Sequence, residues 1–241
     1  MKKFLLVICT FCLFSASFSQ SVNLDSTTSL QVKNAVDAYN RFTDGNAAIY
    51  NGQEYIYYSF LMEGDPYFIT GNLTNGWVNY KNRMYDSLLM LYDVARNMVV
   101  IASENNMKKI ALENDFIDSF HLSGHTFIAL KEDHQQNLYN SGFYDLLYNG
   151  HLQLLARRIK TLNPIIRGSA VVTVFLTKDH FYIHKNGIYY LVSNKKDVFK
   201  VFQDKNHELK KRLRKEHLKF RRKTFENTLV QTVAFYDQLT H

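Results

Sequence analysis

Cysteine is almost missing from this chain of 241 residues. Its two cysteines, Cys9 and Cys12, both lie in the N-terminal segment MKKFLLVICTFCLFSASFSQ, which has a basic start, a short apolar core and small residues near its end. This pattern predicts a signal peptide over residues 1–19, with cleavage before Gln20. The mature chain is then free of cysteine, which excludes disulfide bonds, thiolate metal sites and a cysteine nucleophile.

Long hydrophobic runs and proline are scarce as well. Proline occurs only at Pro66 and Pro164, and no linker rich in Ser, Gly or Pro divides the chain. After the signal, no apolar run approaches the roughly 18 residues of a membrane span. The mature chain is therefore expected to have no transmembrane segment and to be extracytoplasmic, whether periplasmic, at the outer-membrane periphery or secreted. Its length favours one domain, or one domain with an appendage.

Recognisable catalytic motifs are also absent. The sequence contains no G-x-S-x-G, H-E-x-x-H, P-loop or G-x-G-x-x-G pattern. His121 and His125 flank a predicted Ser-Gly turn, but a third metal ligand would have to be recruited from elsewhere. We therefore predict no catalytic residue, no metal site and no cofactor, and we favour a non-enzymatic role. A hydrolase built from scattered carboxylates or histidines stays open, because such a site needs no sequence motif.

Turn residues divide residues 48–192 into short apolar and aromatic runs. The pairs Asn149-Gly150 and Asn186-Gly187 each lie between two such runs. They predict two hairpins, because both central positions of a type I′ turn need a positive φ, which Asn and Gly tolerate best. About ten strands at spacings near ten residues predict an antiparallel sheet, in the form of a sandwich or partial barrel.

Helical periodicity marks both ends of the mature chain. Residues 20–47 are predicted to form a short N-terminal helical segment. Residues 193–241 are predicted to form a helical tail that packs on the β domain, with Leu209 and Leu213 pointing inward and residues 217–223 extended. The predicted fold class is therefore α+β and mainly β.

The basic residues are concentrated in this tail. Residues 195–224 carry 13 basic and 4 acidic side chains, whereas residues 20–194 carry 14 and 16. The candidate surface for an anionic partner consists of Lys210, Lys211, Arg214, Lys215, Arg221 and Arg222. We expect an envelope protein, an anionic lipid or the phosphates of lipopolysaccharide as the partner, and no nucleic acid, because the chain is exported. The alternative is a basic helix face that is merely solvated.

Aromatic residues and one arginine pair are the remaining candidates. Tyr55, Tyr57 and Trp77 form a candidate aromatic binding row that could stack on sugar rings or line an apolar pocket. The alternative is that tyrosine simply suits a half-buried pleated surface. Arg157 and Arg158 fall on opposite faces of a predicted strand, so either one of them finds a carboxylate partner or the sheet ends there. If there is a partner, a protein acid on the paired strand, such as Asp145, is favoured over a ligand carboxylate or phosphate.

Six segments of the chain resemble a known group of proteins. In order they are YNGQEYIYY, EGDPYF, YDSLLMLYDV, GFYDLLYNGHLQLLARR, HKNGIYYLV and KKDVFKVFQDKNHELKKRLRKEHLKF. They resemble an uncharacterised family of secreted and cell-envelope proteins of Bacteroidetes bacteria. The resemblance implies an envelope or secreted location in a two-membrane bacterium, and it implies no substrate.

These features favour a secreted or periplasmic cell-envelope protein that acts as a non-enzymatic binding or scaffold module. The first alternative is a periplasmic carrier of lipid or another amphiphile, in which a curved sheet holds an acyl chain under the tail helices. The second is a hydrolase acting on envelope glycan or lipid.

Overall fold

A computed structural model describes Gln31 and residues 47–58, 62–105 and 107–240. The predicted signal peptide lies outside these residues, and so does nearly all of the predicted N-terminal helical segment. The chain divides after Asn46, and everything described below belongs to the unit Ala47–His241.

Within that unit the described residues form fourteen strands, four α-helices and two short 3-10 turns. The strands are β1 (Gln53–Glu54), β2 (Met62–Glu63), β3 (Thr74–Tyr80), β4 (Arg83–Asp93), β5 (Met98–Ala102), β6 (Lys109–Ala111), β7 (Ile117–Leu122), β8 (His125–Leu130), β9 (Gly142–Asn149), β10 (Gln153–Arg157), β11 (Lys160–Arg167), β12 (Ala170–Thr177), β13 (His180–Lys185) and β14 (Ile188–Val192). The helices are α1 (Ala47–Tyr50), α2 (Lys195–Val201), α3 (Asn206–Lys215) and α4 (Phe225–Thr240), and the 3-10 turns are Asn114–Phe116 and Gln203–Lys205.

Eleven strands build one large sheet, in the order β1-β6-β5-β4-β3-β7-β8-β9-β10-β13-β14. Every neighbouring pair in it is antiparallel. The sheet is open, with β1 and β14 at its edges. A smaller sheet has the order β11-β12-β2, with β2 parallel to β12. The prediction of an α+β, mainly β fold with an antiparallel sheet and a C-terminal helical tail is confirmed.

The hairpin predicted at Asn186-Gly187 is confirmed in detail. Lys185 pairs with Ile188, and the two residues between them have φ values of 54° and 75°. This is the geometry of a two-residue type I′ turn. The same geometry recurs at Ser123-Gly124, which joins β7 to β8 with φ values of 51° and 82°.

Two other Asn-Gly pairs behave differently. The β9–β10 hairpin forms as predicted, but Asn149 pairs with Gln153, so its loop has three residues instead of two. Asn75-Gly76 lies inside β3, where Gly76 is paired on both sides. A Cβ at Gly76 would overlap the carbonyl oxygen of His121. Glycine is used there for a close approach of two strands and not for a turn.

The first half of the large sheet covers an aromatic core. Phe120 and Phe127 are stacked with ring centroids 4.7 Å apart. Tyr92 meets both rings edge-on, and Phe143 meets Phe120 edge-on. All four rings are buried. Edge-to-face and offset contacts of this kind add to the stabilisation from burial alone.

The helical tail packs on the second half of the same sheet. Leu209 and Leu213 of α3 and Leu229 and Val233 of α4 share one buried cluster with strand residues such as Ile183. Helix α2 begins with a capping box, in which Asn194 accepts from the backbone of Asp197 and the Asp197 side chain accepts from the backbone of Asn194. None of the helices in the described part of the chain is long and apolar enough to cross a membrane.

The segment between α3 and α4 is not regular extended structure. Residues 218–221 have no assigned secondary structure and residues 222–224 form a turn. Leu218 and Phe220 both pack against the tail's apolar cluster.

Candidate functional site

A groove of about 690 Å³ opens between α2, α3 and the segment that follows α3. Its apolar lining residues are Phe199, Leu213, Leu218 and Phe220. Its basic lining residues are Lys195, Lys210, Arg214, His217, Lys219 and Arg221. No acidic side chain of the described residues lines it. We call this feature the basic groove.

The chain reversal after α3 builds one wall of the basic groove. The backbone N–H of Leu218 donates to the carbonyl of Leu213 (2.9 Å), and that of His217 donates to the carbonyl of Arg214 (3.2 Å). These two bonds are those of a Schellman motif, with His217 at the left-handed position, φ 54°. The motif ends the helix and turns the chain, and residues 218–221 line the groove together with α3.

Helix α3 supplies both the floor and part of the rim. Lys210 and Arg214 are four residues apart and therefore lie on one face of the helix. Leu213, next to Arg214 in sequence, is buried and contributes to the floor. The buried Phe199 of α2 lies between two cations, since the Nζ atoms of Lys195 and Lys210 are 5.6 and 5.4 Å from its ring centroid. Contacts over an aromatic face hold these ammonium groups beside the groove.

The cations of the basic groove have no ion-pair partner among the residues that the structure describes. Within residues 47–58, 62–105 and 107–240, none of Lys195, Lys210, Arg214, Lys219 and Arg221 forms an ion pair. On α3 itself, Arg212 forms an ion pair with Glu216, one helical turn further along the chain. A concave site with several unpaired cations and an apolar floor suits a ligand that is anionic at one end and apolar at the other.

The structure divides the six basic residues predicted as an anionic-partner surface. Lys210, Arg214 and Arg221 line the basic groove. Lys211, Lys215 and Arg222 are exposed and do not line it. Lys195, His217 and Lys219 also line the groove and were not predicted from the sequence. The helix cap just before Lys195 was a usable signal, but the sequence does not show that the residues after α3 line a groove together with this helix.

The candidate aromatic row is not assembled as a row. Tyr55 is buried and its hydroxyl donates to Asp93 (2.8 Å). Tyr57 is half exposed and meets Tyr55 edge-on. Trp77 lies on β3 and stacks on His121. Among the described residues no ring contact joins Trp77 to the two tyrosines, and the buried Tyr55 has no free face to offer a sugar.

A buried ionic cluster ties the tail to the sheet. The guanidinium of Arg158 donates to Asp145 (Nε, 3.1 Å), to Asp179 (3.0 Å) and to Glu226 of α4 (2.6 Å). Burial acts to lower the pKa of Arg158, but hydrogen bonds and charges from Glu226 and Asp145 outweigh it and raise the pKa. Asp145 was the partner favoured from the sequence for one arginine of the pair Arg157-Arg158, and Arg158 is that arginine.

His125 completes this cluster, because its Nδ1 lies 2.9 Å from the Asp145 carboxylate. A histidine held by a buried acid is one part of a hydrolytic site. Here, however, the charge of Asp145 is shared with Arg158, and no hydroxyl in the described part of the chain is hydrogen-bonded to His125.

The two histidines of the predicted pair lie on opposite faces of the sheet. His125 pairs with Leu122, whereas His121 pairs with Thr126, and neighbouring residues of a strand point to opposite faces. No group of three His, Cys, Asp or Glu side chains among the described residues is arranged to hold a metal ion.

Comparison of the chain with protein-family models, with curated proteins and with solved structures found no match. A function must then be inferred from the structure itself. Among the described residues, the basic groove combines unpaired cations with an apolar floor and so indicates a class of ligand most directly.

Proposed function

We propose that the protein is an extracytoplasmic, non-enzymatic binding module that attaches to phosphate-bearing lipids of the cell envelope through the basic groove. The observation that carries this proposal is the set of five cations around an apolar floor, none of them paired with a protein acid among the described residues. The predicted signal peptide supports an exported location.

The chemistry of the groove matches a lipid headgroup better than an acidic protein surface. A phosphate takes hydrogen bonds from lysine and arginine at the rim, and the adjoining glycerol or sugar and the start of an acyl chain cover Phe199 and Leu218. Near an anionic membrane each Lys or Arg contributes roughly 1 kcal/mol to binding. Because the attraction is electrostatic at the rim, added salt should weaken it.

The test is co-sedimentation of the mature protein with vesicles. Vesicles of phosphatidylcholine are compared with vesicles that also contain phosphatidylglycerol, and micelles of lipopolysaccharide form a separate arm. The groove variant carries Lys210→Gln, Arg214→Gln and Arg221→Gln. The control variant carries Lys211→Gln, Lys215→Gln and Arg222→Gln, which removes the same charge from the same segment outside the groove.

We expect the groove variant to lose affinity for anionic vesicles by about two powers of ten, from three contributions of ~1 kcal/mol each. The control variant should lose much less. Equal losses in both variants would show that the tail acts as a diffuse basic surface. Binding that is absent for the natural protein in both lipid arms would contradict the proposal altogether.

The lipid-carrier alternative gives a different result in a companion measurement. A carrier would retain lipid through gentle purification, and native mass spectrometry would show a stoichiometric adduct. A module that docks on a lipid surface gives the mass of the bare chain.

A further inference from the structure

A second groove, of about 780 Å³, runs along β14, the edge strand of the large sheet. It is bounded on one side by the loop before β9 and on the other by α2 and the 3-10 turn Gln203–Lys205. Its volume lies within the range of pockets that take small ligands. It shares no lining residue with the basic groove. We call it the tyrosine groove.

Aromatic rings are the first characteristic of the tyrosine groove. Tyr182 and Tyr189 are buried and belong to its floor. Tyr139 is 58% exposed and Tyr190 is 37% exposed, so both keep a free ring surface beside the cavity. A ring that is fixed at its base and open on one side provides a flat apolar platform.

Neutral hydrogen-bonding groups are the second characteristic. Three asparagines and one glutamine line the cavity: Asn137, Asn140, Asn186 and Gln203. His180 joins them, and its pKa is lowered by burial and by the nearby charges of Lys178 and Arg157, so that the ring is neutral at neutral pH. Carboxamides and a neutral imidazole both donate and accept hydrogen bonds, which is what a ligand with hydroxyl groups requires.

Most of the charges in the lining are already satisfied by the protein. Lys185 donates to the hydroxyl of Tyr236 (2.6 Å) and pairs with Asp204 (3.6 Å). Asp197 accepts from the backbone of Ser193 and Asn194 in the cap of α2. This leaves Lys200 as the charged lining residue whose side chain has neither an ion pair nor a hydrogen bond among the described residues, in contrast to the five unpaired cations of the basic groove.

The edge strand itself contributes backbone groups. Because a two-residue turn closes the β13–β14 hairpin, Tyr189 and Leu191 are the residues of β14 whose backbone groups point away from β13. The N–H of Tyr189 is used by the loop before β9, since it donates to the carbonyl of Gln136 (2.8 Å). The loop therefore blocks the edge against a long added strand, and Leu191 is left to offer one N–H and one carbonyl to a compact ligand.

From these observations we infer that the tyrosine groove is a binding site for a neutral oligosaccharide, separate from the anionic-lipid site. A sugar ring has an apolar face of C–H groups, which stacks on Tyr139 or Tyr190, and a rim of hydroxyls, which bonds to the carboxamides and to Leu191. A long extended peptide fits less well, because the loop occupies the strand edge at Tyr189.

The experiment is isothermal titration of the mature protein with maltohexaose, cellohexaose and chitohexaose. The ring-removing variants are Tyr139→Ala and Tyr190→Ala. The matched control is Tyr57→Ala, which removes a tyrosine of similar exposure, 54%, outside the groove. Tyr190→Phe keeps the ring and tests whether stacking or the hydroxyl matters, and circular dichroism verifies that each variant is folded.

We expect saturable binding of at least one of the three hexasaccharides. Each ring-removing variant should weaken it about tenfold, while Tyr57→Ala has no effect and Tyr190→Phe stays within about twofold of the natural protein. Absence of binding to all three probes overturns the inference. So does binding that survives both Tyr139→Ala and Tyr190→Ala, because the sugar would then be bound elsewhere. Neither outcome bears on vesicle binding, which depends on the basic groove.

Discussion

At the scale of single residues, Asp93 is a charged group with no exposure to solvent. The hydroxyls of Tyr55 and Tyr58 donate to its carboxylate at 2.8 and 2.9 Å, and the backbone N–H of Arg96 donates at 3.0 Å. Burial raises the pKa of both phenols, and the carboxylate raises it further, so both remain protonated donors. These donors explain how a buried carboxylate is tolerated at the end of β4.

Replacing Asp93 by Asn tests this arrangement. The NH2 group of the Asn amide would face the Tyr hydroxyls and the Arg96 N–H, which donate to the carboxylate in the natural protein. Some of these buried donors would then have no acceptor. We expect Asp93→Asn to lower the free energy of unfolding by about 2 kcal/mol, measured by urea titration. Asp86→Asn is the matched control, because Asp86 is an exposed acid of the same strand. A loss no larger than that of the control would show that the charge of Asp93 is not needed.

Residue-scale prediction from the sequence succeeded where partners are close along a hairpin. The parity of β10 showed that one arginine of Arg157-Arg158 needed an acid, and Asp145 on the paired strand was the natural candidate. Asp179 and Glu226 were not predictable, because β11 and β12 lie between Arg158 and the first, and 68 residues separate Arg158 from the second. The burial of Tyr55 was missed for a similar reason, since its partner Asp93 is 38 residues away.

At the scale of secondary-structure elements, local turn chemistry predicts structure only where no distant group intervenes. At Asn186-Gly187 none of the described residues other than the chain neighbours comes within 4 Å of the position of a Cβ on Gly187, and the expected two-residue turn forms. At Asn149-Gly150 the carboxylate of Asp237 from α4 accepts from the backbone N–H of His151 (3.2 Å) and from the hydroxyl of Tyr148 (2.8 Å). This contact is consistent with the longer loop, and the sequence around the turn contains no sign of it.

The end of α3 gives a prediction at this scale. His217 occupies the left-handed position of the Schellman motif, where glycine is the preferred residue. The left-handed conformation costs a residue with a side chain roughly 1–2 kcal/mol, partly offset by the greater freedom of glycine in the unfolded chain. We therefore expect His217→Gly to raise the free energy of unfolding by about 0.5–1 kcal/mol, and His217→Val to lower it, in urea titrations.

His217 also lines the basic groove. A role in binding would explain why this position carries histidine, although glycine would make the folded protein more stable. If the imidazole contributes to lipid binding, His217→Gly should weaken vesicle binding while making the protein more stable. A glycine variant that is less stable than the natural protein would contradict the conformational explanation. An Asn variant, which tolerates the left-handed region and lacks the imidazole, separates the backbone effect from the effect on binding.

At the scale of the whole molecule, the tail and the second half of the sheet share one core. Apolar residues at helical spacing predicted that the tail docks, and the packing of α3 and α4 with β13 agrees with that prediction. The sequence does not show which strands receive the helices, because helical spacing defines an inward face but not what lies opposite it. The hydrogen bonds between Arg158 and Glu226 are one contact that joins α4 to the chain directly after β10.

The Arg158 cluster is therefore expected to hold the tail in place. Arg158→Leu removes the guanidinium from the buried Asp145 and leaves His125 as its remaining side-chain partner. Breaking a buried pair in this way costs about 3–5 kcal/mol. Arg157→Leu is the matched control, because Arg157 is the neighbouring arginine on the opposite face of the chain and has no ion pair among the described residues. The measurement is the free energy of unfolding in urea, together with amide hydrogen exchange in α4.

If the cluster anchors the tail, exchange in α4 should accelerate in Arg158→Leu and stay unchanged in Arg157→Leu. The double variant Arg158→Leu/Asp145→Leu should recover part of the lost stability, because it removes the uncompensated charge as well. Glu226→Gln should cost less than Arg158→Leu, since Glu226 is more exposed than Asp145. Equal losses for Arg157→Leu and Arg158→Leu would mean that apolar packing alone positions the tail, and with it the basic groove.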